Sequence, residues 1–157
     1  QEMNNIGVVI YLALISETGF YDVLAISKDP VIVSHANVYS LCKNDRNLTD
    51  KQIKYLAKNG GVLGITFCPF FLKENSRATL DDVLNHIDYV IDLVGINHVG
   101  IGSDYDGLPQ GVIPAKKLEQ SSKFTNLTKG LISRGYSDDQ ILKIIGGNFL
   151  RVFEQVW

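Results

Sequence analysis

An imidazole closes the apolar run Val31-Ile32-Val33-Ser34-His35, and a carboxylate closes Val99-Gly100-Ile101-Gly102-Ser103-Asp104. Both runs read as buried β-strands, so both polar side chains stand where burial stops. A histidine and an aspartate converging on one face suit metal binding or acid/base chemistry. The plainer reading is that each merely marks a strand end. Arg46, in Asn44-Asp45-Arg46-Asn47-Leu48, lies in the loop after the His35 strand. On the same face its guanidinium suits a two-pronged grip on a substrate carboxylate; elsewhere it is a solvated loop arginine. Asp106, in Asp104-Tyr105-Asp106-Gly107, reads as a turn residue. His86 lies beside the apolar face of a helical stretch and reads as structural or surface. His98 opens a strand at the end opposite the candidate face. Cys42 and Cys68 have no evident cationic activator and read as packing residues.

In a parallel α/β fold the strand ends that carry function are the C-terminal ones, so strands must alternate with helices to position these groups. The sequence has that alternation. Residues 8–14, 31–35, 62–67 and 98–104 read as strands. Residues 16–28 read as a helix with Ser16 as N-cap. Residues 48–61 read as a second helix, opened by Thr49 or Asp50 and stopped by Gly60-Gly61. Residues 79–95 give the clearest helix, with Leu80, Val83, Leu84, Ile87, Ile91 and Val94 at helical spacing and Gly95 as cap. A polar loop spans about 105–120. Two further helices, about 121–134 and 138–145, precede the terminal GNFLRVFEQVW. Continuous apolar strands argue a parallel sheet, as in half of a (β/α)₈ barrel or a small doubly wound domain. The opening QEMNNIG reads as the last turn of a helix capped by Gly7, so the chain reads as starting in mid-architecture.

The chain has 157 residues, 45% hydrophobic and 20% charged, which fits one globular domain, here a single partial barrel over 1–157. A net charge of -2 supplies no basic footprint for nucleic acid. The apolar run at 6–15 falls short of the roughly 18 residues needed to span a bilayer. No strand is followed by a dinucleotide or P-loop signature. Two cysteines outside any C-x-x-C spacing read as free thiols, which suits a cytoplasmic location.

Three stretches resemble one family: DPVIVSHANVYSLCKNDRNLTDKQIKYLAKNGGVLGITF (29–67), HIDYVIDLVGINHVGIGSDYDG (86–107) and GGNFLRVFE (146–154). They look like the membrane (renal) dipeptidase family of zinc metallopeptidases. That resemblance implies a (β/α)₈ barrel of the metal-dependent hydrolase kind, of which this chain is the C-terminal half. It implies dipeptide hydrolysis at two zinc ions bridged by a carboxylate, where metal-activated water attacks the peptide carbonyl. It also implies His35 as a zinc ligand, Arg46 as the group holding the substrate's C-terminal carboxylate, and Asp104 as the acid/base.

The departures from the family pattern matter as much. Its H-x-D motif and bridging glutamate have no counterpart here, and would lie upstream of Gln1. Where the family reads I-D-x-S-H-x-S, this chain reads IYLALIS (10–16), placing Leu14 at a second ligand position. A leucine has no lone pair to donate. Weak or absent zinc binding and little independent catalysis are therefore expected. The alternative function is a non-catalytic, degenerate half-barrel that self-associates or complements another chain, because half a barrel exposes strand edges. His35 and Asp104 are expected at one end of the sheet, with the Arg46 loop and Leu14 beside them.

Overall fold

The structure is a computed structural model that describes residues 2–157. Strands β1 (Ile32–Ala36), β2 (Val62–Ile65) and β3 (Val99–Ile101) form a parallel sheet in the order β1-β2-β3. Parallel neighbours need crossovers. Helix α3 (Asp50–Lys58) links β1 to β2, and α5 (Leu80–Val94) links β2 to β3. Before β1 stand α1 (Glu2–Asn5) and α2 (Glu17–Ile26); α4 (Pro69–Leu72) follows β2. After β3 come α6 (Thr125–Ser133), α7 (Asp138–Leu142) and α8 (Asn148–Val156).

Ser16, Thr49, Gly7 and Gly95 cap helices as the sequence reads, and Thr79 adds a cap that the sequence reading does not name. Ser16 Oγ accepts the Gly19 N–H at the start of α2. Thr49 forms a reciprocal capping box with Gln52, and Thr79 N–H donates to Asp82 at 2.8 Å. Gly7 and Gly95 take φ of +68° and +91° after α1 and α5, the conformation that suits glycine beyond a helix end.

Alternation along the strands divides the core into two faces. Val33, Leu63, Ile65 and Val99 pack outward against Ile53 and Leu56 of α3 and Val83, Leu84, Ile87 and Val90 of α5. Ile32 and Val62 face the other way, against Val152, Phe149 and Phe153 of α8. Gly64 and Gly100 make room for Phe149: a Cβ on either would lie 3.0 Å or less from its ring.

Several elements differ from the sequence reading. Residues 8–14 form one isolated bridge, Tyr11 to Ile32, instead of a strand. Leu12 N–H donates to Ile32 O, and Ile32 N–H to Ile10 O, before the chain turns away at Ala13. Among the described residues this segment has β1 on one side only, so its apolar run is not matched by a second pairing. His98 sits in a 3₁₀ turn, Ile96–His98, just ahead of β3. Helix α8 is absent from the sequence reading, which assigns no element to the terminal GNFLRVFEQVW and ends its last helix at about 145. There the backbone passes through a π-type turn at Lys143–Gly147, and Asn148 Nδ2 then donates to Ile96 O and Val99 O, both at 2.7 Å. The loop after β3 is also tied down: Ala115 N–H donates to Phe67 O and Lys116 N–H to Ala78 O.

His86 is buried on α5. Its Nδ1 accepts the Val38 N–H at 3.1 Å, which leaves Nε2–H to donate to Leu72 O at 3.0 Å. It is a structural histidine joining the chain after β1 to the end of α4. Burial holds its pKa below the ordinary value. The unfolded chain therefore takes up a proton at higher pH than the folded one, and stability falls as pH drops below about 6.5. Urea unfolding is expected to show lower stability at pH 5.5 than at 7.5, and His86→Gln should flatten that difference. An unchanged slope in the variant would place the effect elsewhere.

Candidate functional site

The pairing of β1 with β2 is in step at Ile32–Val62 and Val33–Leu63, then resumes at Ala36–Ile65. Ser34 and His35 together oppose Gly64, which is a β-bulge. Strict alternation would send His35 outward with Val33. The extra residue re-aims it onto the side of Ser34, and the two side chains meet: Ser34 Oγ lies 2.9 Å from His35 Nδ1. With Nδ1–H donating to the hydroxyl, Nε2 presents its lone pair. The bulge is received by glycines. Ser34 O would lie 2.2 Å from a Cβ on Gly64 and 1.8 Å from one on Gly102. A Cβ on Gly102 would also lie 3.1 Å from His35 Cα, so the segment leading to Asp104 passes directly over the His35 backbone.

Asp104 lies just beyond β3, at the same end of the parallel sheet as His35. It has φ +60°, a conformation that aspartate tolerates. Its carbonyl accepts the Gly107 N–H at 3.2 Å, so Asp106 sits in a turn. A Cβ on Gly107 would lie 1.9 Å from Asp104 Oδ1; Gly107 thus leaves the space this carboxylate occupies.

The Arg46 loop is held by a buried polar chain that the sequence reading missed. Asn37 accepts the Thr66 N–H and donates to Thr66 O, tying the ends of β1 and β2. Its own N–H donates to Asn47 Oδ1, and Asn47 Nδ2 donates to Cys42 O and Phe71 O. The signal was available in Asn37 and Thr66, polar residues following apolar strands. Next to Asn47, Arg46 is exposed, with its guanidinium 5.6 Å from the Phe71 ring centroid. Among the described residues no carboxylate lies within ion-pairing distance of it. Burial raises the Cys68 thiol above its ordinary pKa; Phe70 and Phe71 N–H groups lower it, Asp104 raises it and Arg46 lowers it. Cys68 follows β2, the strand between β1 and β3, and so stands between the His35 and Asp104 strand ends. Cys42 and Cys68 are both buried free thiols, packed as the sequence suggested.

Leu14 completes this end of the sheet. With Arg46 it lines a cavity of about 300 Å³ between the Leu12–Ser16 segment and the loop after β1. It is 63% exposed and has φ +70°. For a leucine that conformation costs roughly 1–2 kcal/mol.

The sequence matches the membrane dipeptidase family, peptidase family M19, over residues 1–157. The chain belongs to the membrane dipeptidase family. Among curated relatives, it is 37% identical to dipeptidase tcpJ of Claviceps purpurea, across 99% of this chain and 36% of that protein. It is 38% identical to dipeptidase aclJ of Aspergillus oryzae, across 99% and 36% respectively. Two solved structures share the fold. A Rhodobacter sphaeroides metallopeptidase liganded with a phosphinate mimic of L-Ala-D-Ala superposes with a TM-score of 0.91 at 29% identity, over 99% of this chain and 44% of that one. The probable dipeptidase PvdM of Pseudomonas aeruginosa gives 0.92 at 26% identity, over 99% and 52%.

The chain thus spans about a third of the length of those curated relatives, and its fold is a partial (β/α)₈ barrel. The family is one of metallopeptidases. Tested against a metal pair, the donors of this chain fall short. His35 is an imidazole whose Nδ1 contact to Ser34 leaves Nε2 for a ligand. Leu14 offers no donor, and among the described residues no group of three or more His, Cys, Asp or Glu is placed to hold a metal ion. These residues do not fit a two-metal centre by themselves. No helix among the described residues is long and apolar enough to cross a membrane.

Proposed function

We propose that this chain forms the carboxylate-gripping and proton-handling part of a dipeptidase site. Arg46 holds the C-terminal carboxylate of a dipeptide, Asp104 serves as acid/base, and His35 is one protein ligand of a zinc pair. The observation that supports this reading is the shared strand end: the β1 bulge, the Arg46 loop and the Asp104 turn all lie at or beyond the C-terminal ends of parallel strands, and Arg46 has no intrachain carboxylate partner among the described residues. A guanidinium left without a counter-charge, braced on an aromatic ring, suits a planar anionic group. The chain's donor set carries no zinc pair by itself, so zinc-supplemented chain is expected to hydrolyse a dipeptide no faster than His35→Ala.

Calorimetric titration with a dipeptide and with its C-terminal amide tests the carboxylate role. Arg46→Ala should weaken the dipeptide by about 10-fold or more, the scale of one charge-assisted hydrogen bond. The amide should bind both proteins alike. Equal affinity of the unaltered chain for acid and amide would remove Arg46 from the site.

A second reading rests on the exposed Tyr11, Leu14 and Ile15, which present apolar surface along the unpaired side of the bridge segment. A half-barrel that self-associates, or that complements another chain, would cover this edge. Concentration-dependent sedimentation supports that reading, and a monomer at all concentrations removes self-association.

A further inference from the structure

We infer that residue 14 is a vacated metal-ligand position, so that this chain presents one imidazole to a metal where its backbone is arranged for two. The inference rests on the family reading for the chemistry and on the fold for the geometry. Tyr11 pairs with Ile32 in parallel. Leu12 N–H donates to Ile32 O and the chain then turns at Ala13-Leu14, so Leu14 follows at the C-terminal end of β1, the end that carries the Ser34–His35 bulge. Imidazoles carried at one end of a parallel sheet are the kind of donors that one zinc ion takes in common.

The local conformation is wrong for the residue that occupies it. A γ-branched apolar side chain gains least where it is 63% exposed, and φ +70° is disfavoured for it. Histidine, like asparagine, is several-fold enriched in that conformation. Elsewhere among the described residues the left-handed non-glycine residues are Asn75, Asp104 and Lys117, all polar. Leu14 is the exception, and it lies at the end of the sheet that carries His35. Tyr11 and Ala13 extend the change, since the whole approach to the turn now lacks metal donors.

This applies wherever the chain functions, because any surrounding polypeptide would still meet a leucine at position 14. A metal pair assembled around it lacks one donor. Arg46 and Asp104 are untouched by the change, so ligand recognition through the carboxylate remains while metal retention is lost.

Zinc calorimetry on four full-length proteins tests this: the unaltered chain, Leu14→His, Leu14→Asn, and Leu14→His with His35→Ala. Leu14→His should bind zinc at least 10-fold more tightly than the unaltered chain. Leu14→Asn matches the backbone preference without a ring nitrogen and should show no gain. His35→Ala should erase the gain. Circular dichroism and thermal melts confirm that each variant is folded; histidine suits this backbone better than leucine, so Leu14→His should melt no lower. Tight stoichiometric zinc in the unaltered chain, lost on His35→Ala, would overturn the inference and leave the family reading of His35 standing. No gain in folded Leu14→His would overturn both the inference and the reading of residues 14 and 35 as ligand positions for one metal ion.

Discussion

Gly102→Ala is expected to lower the unfolding free energy by about 3 kcal/mol, near the upper end of what overpacking a close contact costs. The added methyl would lie 1.8 Å from Ser34 O and 2.8 Å from Ser34 C. Those are backbone atoms in the bulge, so no rotamer change can relieve the clash. Either the strand ends separate or the bulge moves. Both outcomes disturb His35, whose Cα would lie 3.1 Å from the same methyl. Lys54→Ala, on the exposed side of α3, is the control, and stability there should change by about 0.5 kcal/mol or less. Urea unfolding of the two variants decides the matter. A Gly102→Ala loss as small as that of the control would mean that the two strand ends stand further apart than these contacts require. Gly64→Ala should behave like Gly102→Ala, since its methyl would lie 2.2 Å from the same carbonyl.

The bulge also marks where sequence reading stops. Periodicity and caps locate α2, α3 and α5, because apolar spacing and capping residues are local properties carried by Ser16, Thr49 and Gly95. Strand polarity puts His35 and Asp104 at one end of the sheet, because parallel order follows from the alternation of elements. The direction of His35 is not legible in this way. It depends on an extra residue in β1 relative to β2, a relation between two strands that neither strand states alone. The same holds for Gly102, whose reason for lacking a side chain is a carbonyl far away in sequence. Residues 8–14 show the opposite failure. Their apolar run is as good a strand signal as Val62–Ile65, yet β2 is paired on both sides while the bridge segment has β1 alone among the described residues. Helix α8 is legible in part: Phe149, Val152, Phe153 and Val156 recur at helical spacing. Gly146-Gly147 stands ahead of it, where the π-type turn carries the chain on through the two glycines.

Removing the buried amide of Asn47 should have a comparable effect on stability and a sharper one on the site. Asn47 Oδ1 accepts the Asn37 N–H at 3.1 Å, and its Nδ2 donates to Cys42 O and Phe71 O at 2.9 Å each. Asn47→Ala removes the partner of the Asn37 N–H and of Phe71 O, while Cys42 O keeps the Asn44 N–H at 2.9 Å. Each unmade bond there costs about 1–3 kcal/mol, and relaxation around the smaller side chain recovers part of the sum, so a loss of about 3 kcal/mol is expected. The consequence for function follows from what the amide joins. Asn47 joins the backbone next to Arg46 to Phe71, the ring under the Arg46 guanidinium, and is the buried tie beside the exposed Arg46 N–H to Asn44 Oδ1 bond. Freed from it, the loop should exchange its amide hydrogens faster over residues 42–48, while the amides of α5 keep their protection. Dipeptide affinity should then fall about as far as in Arg46→Ala, although the guanidinium is still present, because its position is no longer held. A folded Asn47→Ala protein with unchanged exchange in 42–48 would show that the loop is held by other contacts, and that Asn47 contributes only its own hydrogen bonds.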